Sequence, residues 1–403
     1  MRLVGPNVDR LAVIRPVTLL SLGLFAVAYG TNVSTPFLVL YRDRLDLSPS
    51  QTMAIFVVYV AGILATLLFA GPLSDRFGRR PLVVPMIALS AAASVVMVFG
   101  RDSYVLLLVG RMLLGVVSGG VLGVGSAWLL ELMGPGKELA AAVTTTLVTF
   151  GGFGLGPPVS ALFEAFVPYP LVVPYLLHAS FTLVVAVGTA TVPETRPPNP
   201  DAPLRVTLGV PVASRREFMR IVVPAAIWVF CFPSTAFALF PVLISDSIDG
   251  GQVAVAAGAG MLTAWAGMLA RPLVGMVGAR SSLPAGMLSG VTGFGLGWFA
   301  FSTGAWPVLL LASALLGLAA GALTAGALGL LGAMEAGDQR GALTSTFYLL
   351  AYPGMAMPLV ITSLASVSSL SIALGIVTTL AAAFTILIAW TARSAPRVLA
   401  ASP

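Results

Sequence analysis

The sequence predicts an all-α membrane protein whose twelve transmembrane helices form two pseudo-symmetric six-helix bundles. Three observations lead to this prediction: the composition, a series of twelve apolar runs, and an internal repeat. Of the 403 residues, 58% are hydrophobic and only 9% are charged, whereas an average soluble domain carries about 25% charged residues. A soluble protein this poor in charge could not cover its surface with groups that water solvates, so lipid is the expected solvent.

A helix that spans a bilayer needs about 20 mainly apolar residues. The connection at 193–219 is the longest polar stretch, and its prolines and arginines are typical of a linker. It separates a predicted N-terminal bundle, 1–192, from a C-terminal bundle, 220–403. The twelve predicted spans lie near 17–40, 50–72, 81–100, 104–130, 139–163, 171–192, 220–244, 251–275, 283–302, 306–332, 341–366 and 370–391.

The basic residues indicate the orientation of the chain. If the N-terminus is cytoplasmic, 17 of the 21 Lys and Arg residues fall on that side. The opposite loops hold Arg42, Arg44 and Arg101, and Arg111 lies inside a span. Positive charge is enriched in cytoplasmic loops, so we expect both termini to be cytoplasmic and the chain to be a multi-pass protein of the plasma (inner) membrane.

The two halves repeat at an offset of about 200 residues. The segment Ala70–Arg80 aligns with Ala270–Arg280 and matches it at five positions, including the Pro72/Pro272 and Gly78/Gly278 pairs. Asp43 also falls near Asp246, just after the first and seventh spans. Repeated halves with an even number of spans are a known plan of transporters, with the substrate site between the halves.

Composition also excludes several classes of chemistry. Cys231 is the only cysteine and His178 the only histidine, so neither a disulfide nor a multi-histidine metal site is possible within the chain. The sequence has no phosphate-binding G-x-x-x-x-G-K-[ST] motif and no evident nucleophile–base arrangement. The arginines are scattered over loops rather than gathered on one face. We therefore expect neither an enzyme nor a nucleic-acid-binding protein, and no cofactor other than protons as a coupling ion.

The strongest local signal is the run GPLSDRFGRR from Gly71 to Arg80, in the loop after span two. It resembles the G-x-L-x-D-R-x-G-R-R/K signature of the major facilitator superfamily, whose twelve-span plan the whole chain fits. In that family the loop latches one half to the other, and the start of span eleven is the expected partner for the aspartate. The resemblance thus implies a conformational latch, and the alternative is a basic loop that only sets topology. The candidate latch residues are Gly71, Asp75, Arg76, Gly78, Arg79, Arg80 and Arg340.

Arg111 lies in the fourth span, within a segment that resembles the arginine motif of proton-coupled members of the family. An arginine at membrane depth is costly and normally faces a cavity or a partner. Two interpretations remain open. Arg111 contacts an anionic substrate or takes part in proton coupling, or it snorkels to the interface two turns away.

Small residues indicate close helix packing in spans four and five. Gly115 and Gly119 would let another helix approach span four. Span five carries Gly152, Gly156 and Pro157, in a partial resemblance to the fifth-span motif of drug/proton antiporters. The resemblance favours an exporter, and the alternative is a generic glycine-rich helix.

No Asp or Glu lies in the middle of a predicted span, although many proton-coupled relatives carry a buried acid. The remaining candidates for transport or coupling are Asn32, Asp43, Glu164 and His178. A lone histidine in such a helix is more often a packing residue than a titrating one.

The leading hypothesis is a secondary active transporter that exports small apolar or drug-like compounds in exchange for protons. An uptake carrier or uniporter for a small metabolite is the first alternative, because a central acid is missing. A receptor that retains the fold without transporting is the second. The expected partners are the lipid bilayer and a small-molecule substrate, and we expect the chain to act as a monomer.

Overall fold

The computed structural model describes residues 6–206, 208–334 and 339–394, which form helices joined by short loops and contain no strand. Long apolar runs with few polar groups fold as helices in a bilayer, because a helix satisfies its own backbone hydrogen bonds. The helices before the linker are α1 Pro6–Val33, α2 Leu38–Leu45, α3 Pro49–Phe77, α4 Arg79–Gly100, α5 Tyr104–Met133, α6 Glu138–Phe166 and α7 Val173–Ala190.

Two predicted spans after the linker are interrupted helices. The seventh span covers Val212–Ser247 and contains two π-helical turns, Phe218–Val222 and Thr235–Leu239. The eleventh contains a 3-10 turn, Tyr352–Ala356. The helices after the linker are α8 Val212–Glu217, α9 Val223–Ser234, α10 Phe240–Ile244, α11 Gln252–Val277, α12 Ala279–Thr303, α13 Trp306–Ala333, α14 Arg340–Ala351, α15 Met357–Val367 and α16 Leu370–Ser394.

The prediction of an all-α membrane protein is confirmed. Within the described ranges, 11 helical segments are long and apolar enough to cross a membrane. Helix α12 lies at the ninth predicted span and is not among them, although its 25 residues are long enough to span a bilayer. Glycines spread along this helix, including Gly286, Gly290 and Gly293, together with Ser289 and Thr292, lower its hydropathy. The first span also differs from its prediction: α1 ends at Val33, and 34–40 belongs to a turn and to α2.

The chain divides into two compact units. The first contains the described residues up to Phe37 together with Val58–Val206, and the second contains Leu38–Val57 with the described residues from Leu208 onward. Helix α2 and the start of α3 therefore belong to the second unit, although they precede the linker in the chain.

The core of the first unit is aliphatic. Leu24, Val83, Ile87 and Val121 are fully buried and pack around the ring of Trp128. Side chains of α1, α4 and α5 thus form one hydrophobic cluster, and burial of apolar surface stabilises it by about 25 cal/mol per Å².

A cluster of aromatic rings lies in the core of the second unit. The ring of Phe232 stacks on Trp228 at 5.4 Å and meets Phe294 edge-on at 5.3 Å. Glycines on α12 make room for these rings, since a Cβ at Gly290 would lie 2.2 Å from the Phe232 ring. Large rings on α9 therefore fit against small residues on α12.

Candidate functional site

The α3–α4 turn carries the predicted latch motif. Helix α3 ends at Phe77 and α4 begins at Arg79, so a single residue, Gly78, makes the turn with φ 99° and ψ 165°. A positive φ of this kind is accessible to glycine and strained for residues with a Cβ. The glycine of the motif is therefore required by the backbone.

Arg79 is the centre of the charges at this turn. The residue is only 7% exposed, and its guanidinium donates to Glu131 at 2.9 Å, to Asp75 at 3.2 Å and to the Ser74 hydroxyl at 2.5 Å. Hydrogen bonds to charged groups contribute about 1.5–3 kcal/mol each when they are buried. The guanidinium thus ties the ends of α3, α4 and α5 together.

Asp75 has two arginine partners within the first unit. Its Oδ1 atom lies 3.2 Å from Arg79 Nη1 and 3.3 Å from Arg196 Nε. The side chain is 40% exposed, so each pair is screened by solvent and contributes less than a buried pair. The predicted partner for Asp75, Arg340, has its side chain outside the described residues.

The other latch residues are more open. At Gly71 a Cβ would meet nothing within 4 Å. The guanidinium of Arg76 lies 5.9 Å from the centre of the Phe77 ring, and its backbone carbonyl accepts a hydrogen bond from Asn199 N at 3.0 Å. Arg80 is exposed.

Arg111 is enclosed within the first unit at 2% exposure. Its Nη1 donates to Thr31 O at 2.8 Å and to Ser34 Oγ at 3.0 Å, and the guanidinium lies 5.0 Å from the centre of the Tyr59 ring. A cation over an aromatic face gains about 0.5–2 kcal/mol. This burial disfavours snorkelling, because a snorkelling guanidinium reaches water.

His178 uses both ring nitrogens in hydrogen bonds. Nε2 lies 2.9 Å from Ala26 O and Nδ1 lies 2.7 Å from Ser94 Oγ. A carbonyl oxygen only accepts, so Nε2 carries a proton, and Nδ1 of the neutral ring accepts from the serine hydroxyl. A Cβ at Gly30 would fall 2.2 Å from the ring. His178 thus packs on the backbone of α1 with its polar atoms satisfied.

Asp43 belongs to an ion-pair cluster in the second unit. Arg42 donates through Nε to Asp43 at 3.0 Å and through Nη2 to Asp246 at 2.5 Å. Burial lowers the pKa of Arg42, but the hydrogen bonds to Asp246 and Asp43 outweigh this effect and raise the pKa above its ordinary value. The guanidinium therefore joins the two aspartates that the repeat aligns and stays charged.

Asn32 and the glycines of α6 join α1 to α6. Asn32 Nδ2 donates to Phe153 O at 3.1 Å. A Cβ at Gly152 would lie 2.7 Å from Phe25 O, and one at Gly156 would lie 2.9 Å from Tyr29 O. Pro157 is buried beside them, whereas Glu164 is half-buried near the end of α6. The small residues of span five thus serve a close contact between two helices.

Gly115 and Gly119 bring α5 against α3. A Cβ at Gly115 would lie 2.0 Å from Tyr59 O, and one at Gly119 would lie 2.2 Å from Thr66 Oγ1. Gly317 and Gly321, their repeat partners on α13, meet α11 in the same way. The repeat read from the sequence therefore has a counterpart in packing.

Residues 20–280 match the family model of the Major Facilitator Superfamily. The chain belongs to the Major Facilitator Superfamily. The resemblance predicted from the Gly71–Arg80 motif is thereby confirmed.

Two curated relatives match parts of this superfamily member. The bacillibactin exporter of Bacillus subtilis is 27% identical over 149 residues, which are 35% of this chain and 37% of the relative. The multidrug resistance protein MdtL of Escherichia coli is 43% identical over 75 residues, 19% of each chain. The matches thus span well under half the length of these relatives.

Solved structures of transporters share the fold over nearly the whole chain. The POT family transporter PepTSo has a TM-score of 0.77 at 14% identity and covers 94% of this chain and 98% of its own. The human organic anion transporter MFSD10 (TETRAN) has a TM-score of 0.62 at 17% identity and covers 93% and 99%. At such identities the likeness concerns the superfamily fold alone.

Three contacts of this superfamily member were absent from the sequence prediction. They are Tyr59 beneath Arg111, Arg42 between two aspartates, and Glu194 at the α3–α4 turn. The repeat-related positions of Asp43 and Asp246 could have pointed to Arg42. The Pro-Glu-Thr run at the end of span six was a signal for Glu194, although a three-residue run is weak by itself.

Proposed function

We propose that this chain is a secondary active transporter that exports small drug-like organic compounds by alternating access, in exchange for protons. The observation that carries the proposal is the occupied latch motif. Arg79 is buried between Asp75 and Glu131 at the α3–α4 turn, within a chain of the Major Facilitator Superfamily. A static receptor or an enzyme has no need of a charge cluster that biases two conformations.

The direction of transport is proposed from the partial relatives. The bacillibactin exporter and MdtL, which match parts of the chain, are named for export or drug resistance. The packing of Gly152 and Gly156 against α1 agrees with the resemblance of span five to the antiporter motif. We therefore favour efflux over uptake.

The substrate class is proposed from what the spans contain. No Asp or Glu lies in the middle of a described span, and Arg111 is buried within a span of the first unit. Such a protein suits neutral or anionic apolar compounds better than cations, because a buried cation repels a cationic substrate.

A uniporter is the second candidate, and a specific observation favours it. Both ring nitrogens of His178 are engaged in hydrogen bonds, and the described spans carry no central carboxylate that could exchange a proton. Under this alternative the solute moves down its own gradient without protons.

Transport in proteoliposomes under an imposed pH gradient tests the proposal. The purified chain would be assayed with a panel of neutral, anionic and cationic drugs and metabolites, and liposomes without protein are the control. We expect accumulation that grows with the gradient and collapses when a protonophore is added. Movement that ignores the gradient would leave the uniporter, and the absence of movement for every compound would reject a carrier.

The orientation and the oligomeric state are also proposals. We expect both termini on the cytoplasmic side of the plasma membrane, because of the distribution of Lys and Arg, and a monomer as the working unit. Reporter fusions at each terminus and the mass of the chain in detergent would test these two expectations.

A further inference from the structure

The segment that follows α7 is attached to the first unit. We call Pro193–Asn199 the strap. Its ends are both tied down: Trp128 Nε1 donates to Pro193 O at 3.0 Å, and Asn199 N donates to Arg76 O at 3.0 Å. Between them, the Thr195 hydroxyl donates to Glu131. The first residues of the predicted linker therefore lie across the ends of α3 and α5.

Glu194 places a carboxylate at the N-terminus of α4. Oε1 accepts from Arg79 N at 3.0 Å and Oε2 accepts from Arg80 N at 2.9 Å. The first N–H groups of a helix have no partner within the helix, and a negative charge there also interacts well with the helix dipole. Glu194 thus caps α4 from 115 residues away.

The N-terminal neighbour of α4 cannot supply this cap. The residue in that place is Gly78, which has no side chain. A Cβ there would lie 2.7 Å from Glu194 Oε2 and 3.1 Å from its carboxyl carbon. Gly78 therefore serves two purposes: it permits a positive φ, and it leaves the space that the carboxylate fills.

The strap also brings a guanidinium to the latch. Arg196, two residues after Glu194, lies 3.3 Å from Asp75 Oδ1. Oε1 of Glu194 accepts from Arg196 N at 3.0 Å, which fixes the backbone of the strap at this residue. The position of Arg196 beside Asp75 therefore depends on the carboxylate of Glu194.

We propose that Glu194 is a positioning residue of the transport cycle. By capping α4 it joins the end of α7 to the α3–α4 turn, and it holds Asp75 and Arg196 in a fixed geometry. The turn, the strap and the ends of α5 and α7 then move as one piece. Transport as such rests on the function proposed above, whereas the capping contact does not.

Two variants and a matched control test this role. Glu194→Gln keeps the size of the side chain but loses its charge and one acceptor atom, and Glu194→Asp keeps the charge but is one methylene shorter. Glu138→Gln is the control, because Glu138 is an exposed glutamate at the start of α6 that accepts from Gly136 N. We expect Glu194→Gln to lower the maximal transport rate about tenfold with KM changed less than about twofold, since the substrate site is untouched.

Hydrogen exchange provides a readout that does not need a substrate. In Glu194→Gln one of the two amides, Arg79 N or Arg80 N, loses its acceptor, and in Glu194→Asp the shorter side chain moves the carboxylate away from both. In each variant the peptide that covers the turn should therefore exchange faster than in the wild type. The peptide around Gly278 in the second unit is the internal reference and should not change. Glu138→Gln should leave both peptides and the transport rate as they are.

The outcomes separate the possible failures. Unchanged exchange at the turn in Glu194→Gln would overturn the capping contact, and faster exchange with unchanged transport would overturn the positioning role. Equal acceleration at the Gly278 peptide would mean general destabilisation and would also overturn it. If the wild type moves no solute, the proposed function fails, and the exchange at the turn still decides whether Glu194 caps α4.

Discussion

The turns at Gly78 and Gly278 have similar backbone conformations but different surroundings. Gly78 has φ 99° and ψ 165°, and Gly278 has φ 83° and ψ 149°. Each glycine joins two long helices and follows a proline by six residues. At Gly78 an added Cβ would meet the Glu194 carboxylate at 2.7 Å, whereas at Gly278 it would meet nothing within 4 Å.

The difference shows that backbone and charge network are separable. The repeat retains the helix–glycine–helix geometry in both units, because that geometry needs only glycine. The carboxylate, the guanidinium of Arg79 and Asp75 occur at the first turn, and the aligned positions of the second turn are Ala279 and Gly275. The network is therefore not needed to make the turn, and we attribute it to the transport cycle.

Replacing the two glycines by alanine should give the largest difference in stability between the two turns. Both Gly78→Ala and Gly278→Ala place a Cβ at positive φ, which costs about 1–3 kcal/mol. Gly78→Ala also displaces the Glu194 carboxylate, so we expect a total loss of about 2–4 kcal/mol in the free energy of unfolding. Denaturant titrations of the purified variants would measure this. Equal losses at the two turns would contradict a stabilising role of the Glu194 carboxylate beside Gly78.

Arg111 and its aligned residue Ser313 extend the comparison into the spans. Arg111→Lys removes the planar guanidinium that bonds Thr31 and Ser34 and lies over Tyr59, and we expect a loss of about 2 kcal/mol in the free energy of unfolding. The Ser313 hydroxyl donates to its own helix, at Leu309 O, so Ser313→Ala should cost about 0.5 kcal/mol or less.

Transport assays of the same pair would sharpen the role of Arg111. We expect Arg111→Lys to reduce transport of anionic compounds more than that of neutral ones. A uniform reduction for all solutes would remove the substrate contact and leave a structural or coupling role.

Arg79 and Arg80 are consecutive arginines of the first turn, but Arg79 is buried whereas Arg80 is exposed. Arg79→Lys cannot reach Glu131, Asp75 and Ser74 together, because an ammonium lacks the fork of a guanidinium. We expect about 1–2 kcal/mol of destabilisation for Arg79→Lys and less than about 0.5 kcal/mol for the exposed Arg80→Lys, from thermal unfolding in detergent. An equal loss for Arg80→Lys would contradict the central position of Arg79 in this charge cluster.

Asp75→Asn should have the smallest effect on stability. Asp75 is 40% exposed, so its loss should cost under about 1 kcal/mol. We expect slower transport nonetheless, with changed accessibility of single-cysteine probes on the two faces of the membrane. Gly275→Asn, at the aligned position, is the control and should change neither. Unchanged transport and unchanged probe accessibility in Asp75→Asn would refute a latch at this residue.

The sequence predicted what depends on local pattern. Apolar runs gave the helices, Gly78 gave the turn, and the shared offset gave matching glycine contacts at Gly115 and Gly317. These features are local because a helix bonds to itself and a turn depends on one or two residues.

The features that the sequence did not predict depend on pairs of residues that are far apart in the chain. Glu194 caps a helix 115 residues away, and Tyr59 lies beneath Arg111 on a different helix. Hydropathy also gives no signal for the π-helical turn Thr235–Leu239 or for the 3-10 turn Tyr352–Ala356, because both have the composition of a regular span. Only the packing of neighbouring helices, such as Gly354 against Ile227 O, shows why the helix departs from regularity.

The place of Leu38–Val57 in the second unit has a consequence for synthesis. Arg42 and Asp246 are 204 residues apart in the chain, and a ribosome adds about 5–20 residues per second. Arg42 is thus synthesised roughly 10–40 seconds before Asp246. Phe56 precedes Phe237, whose ring lies edge-on to its own at 5.6 Å, by a similar time. Early in translation this segment therefore lacks both Asp246 and Phe237, and the second unit is complete only after all the spans that follow the linker have been made.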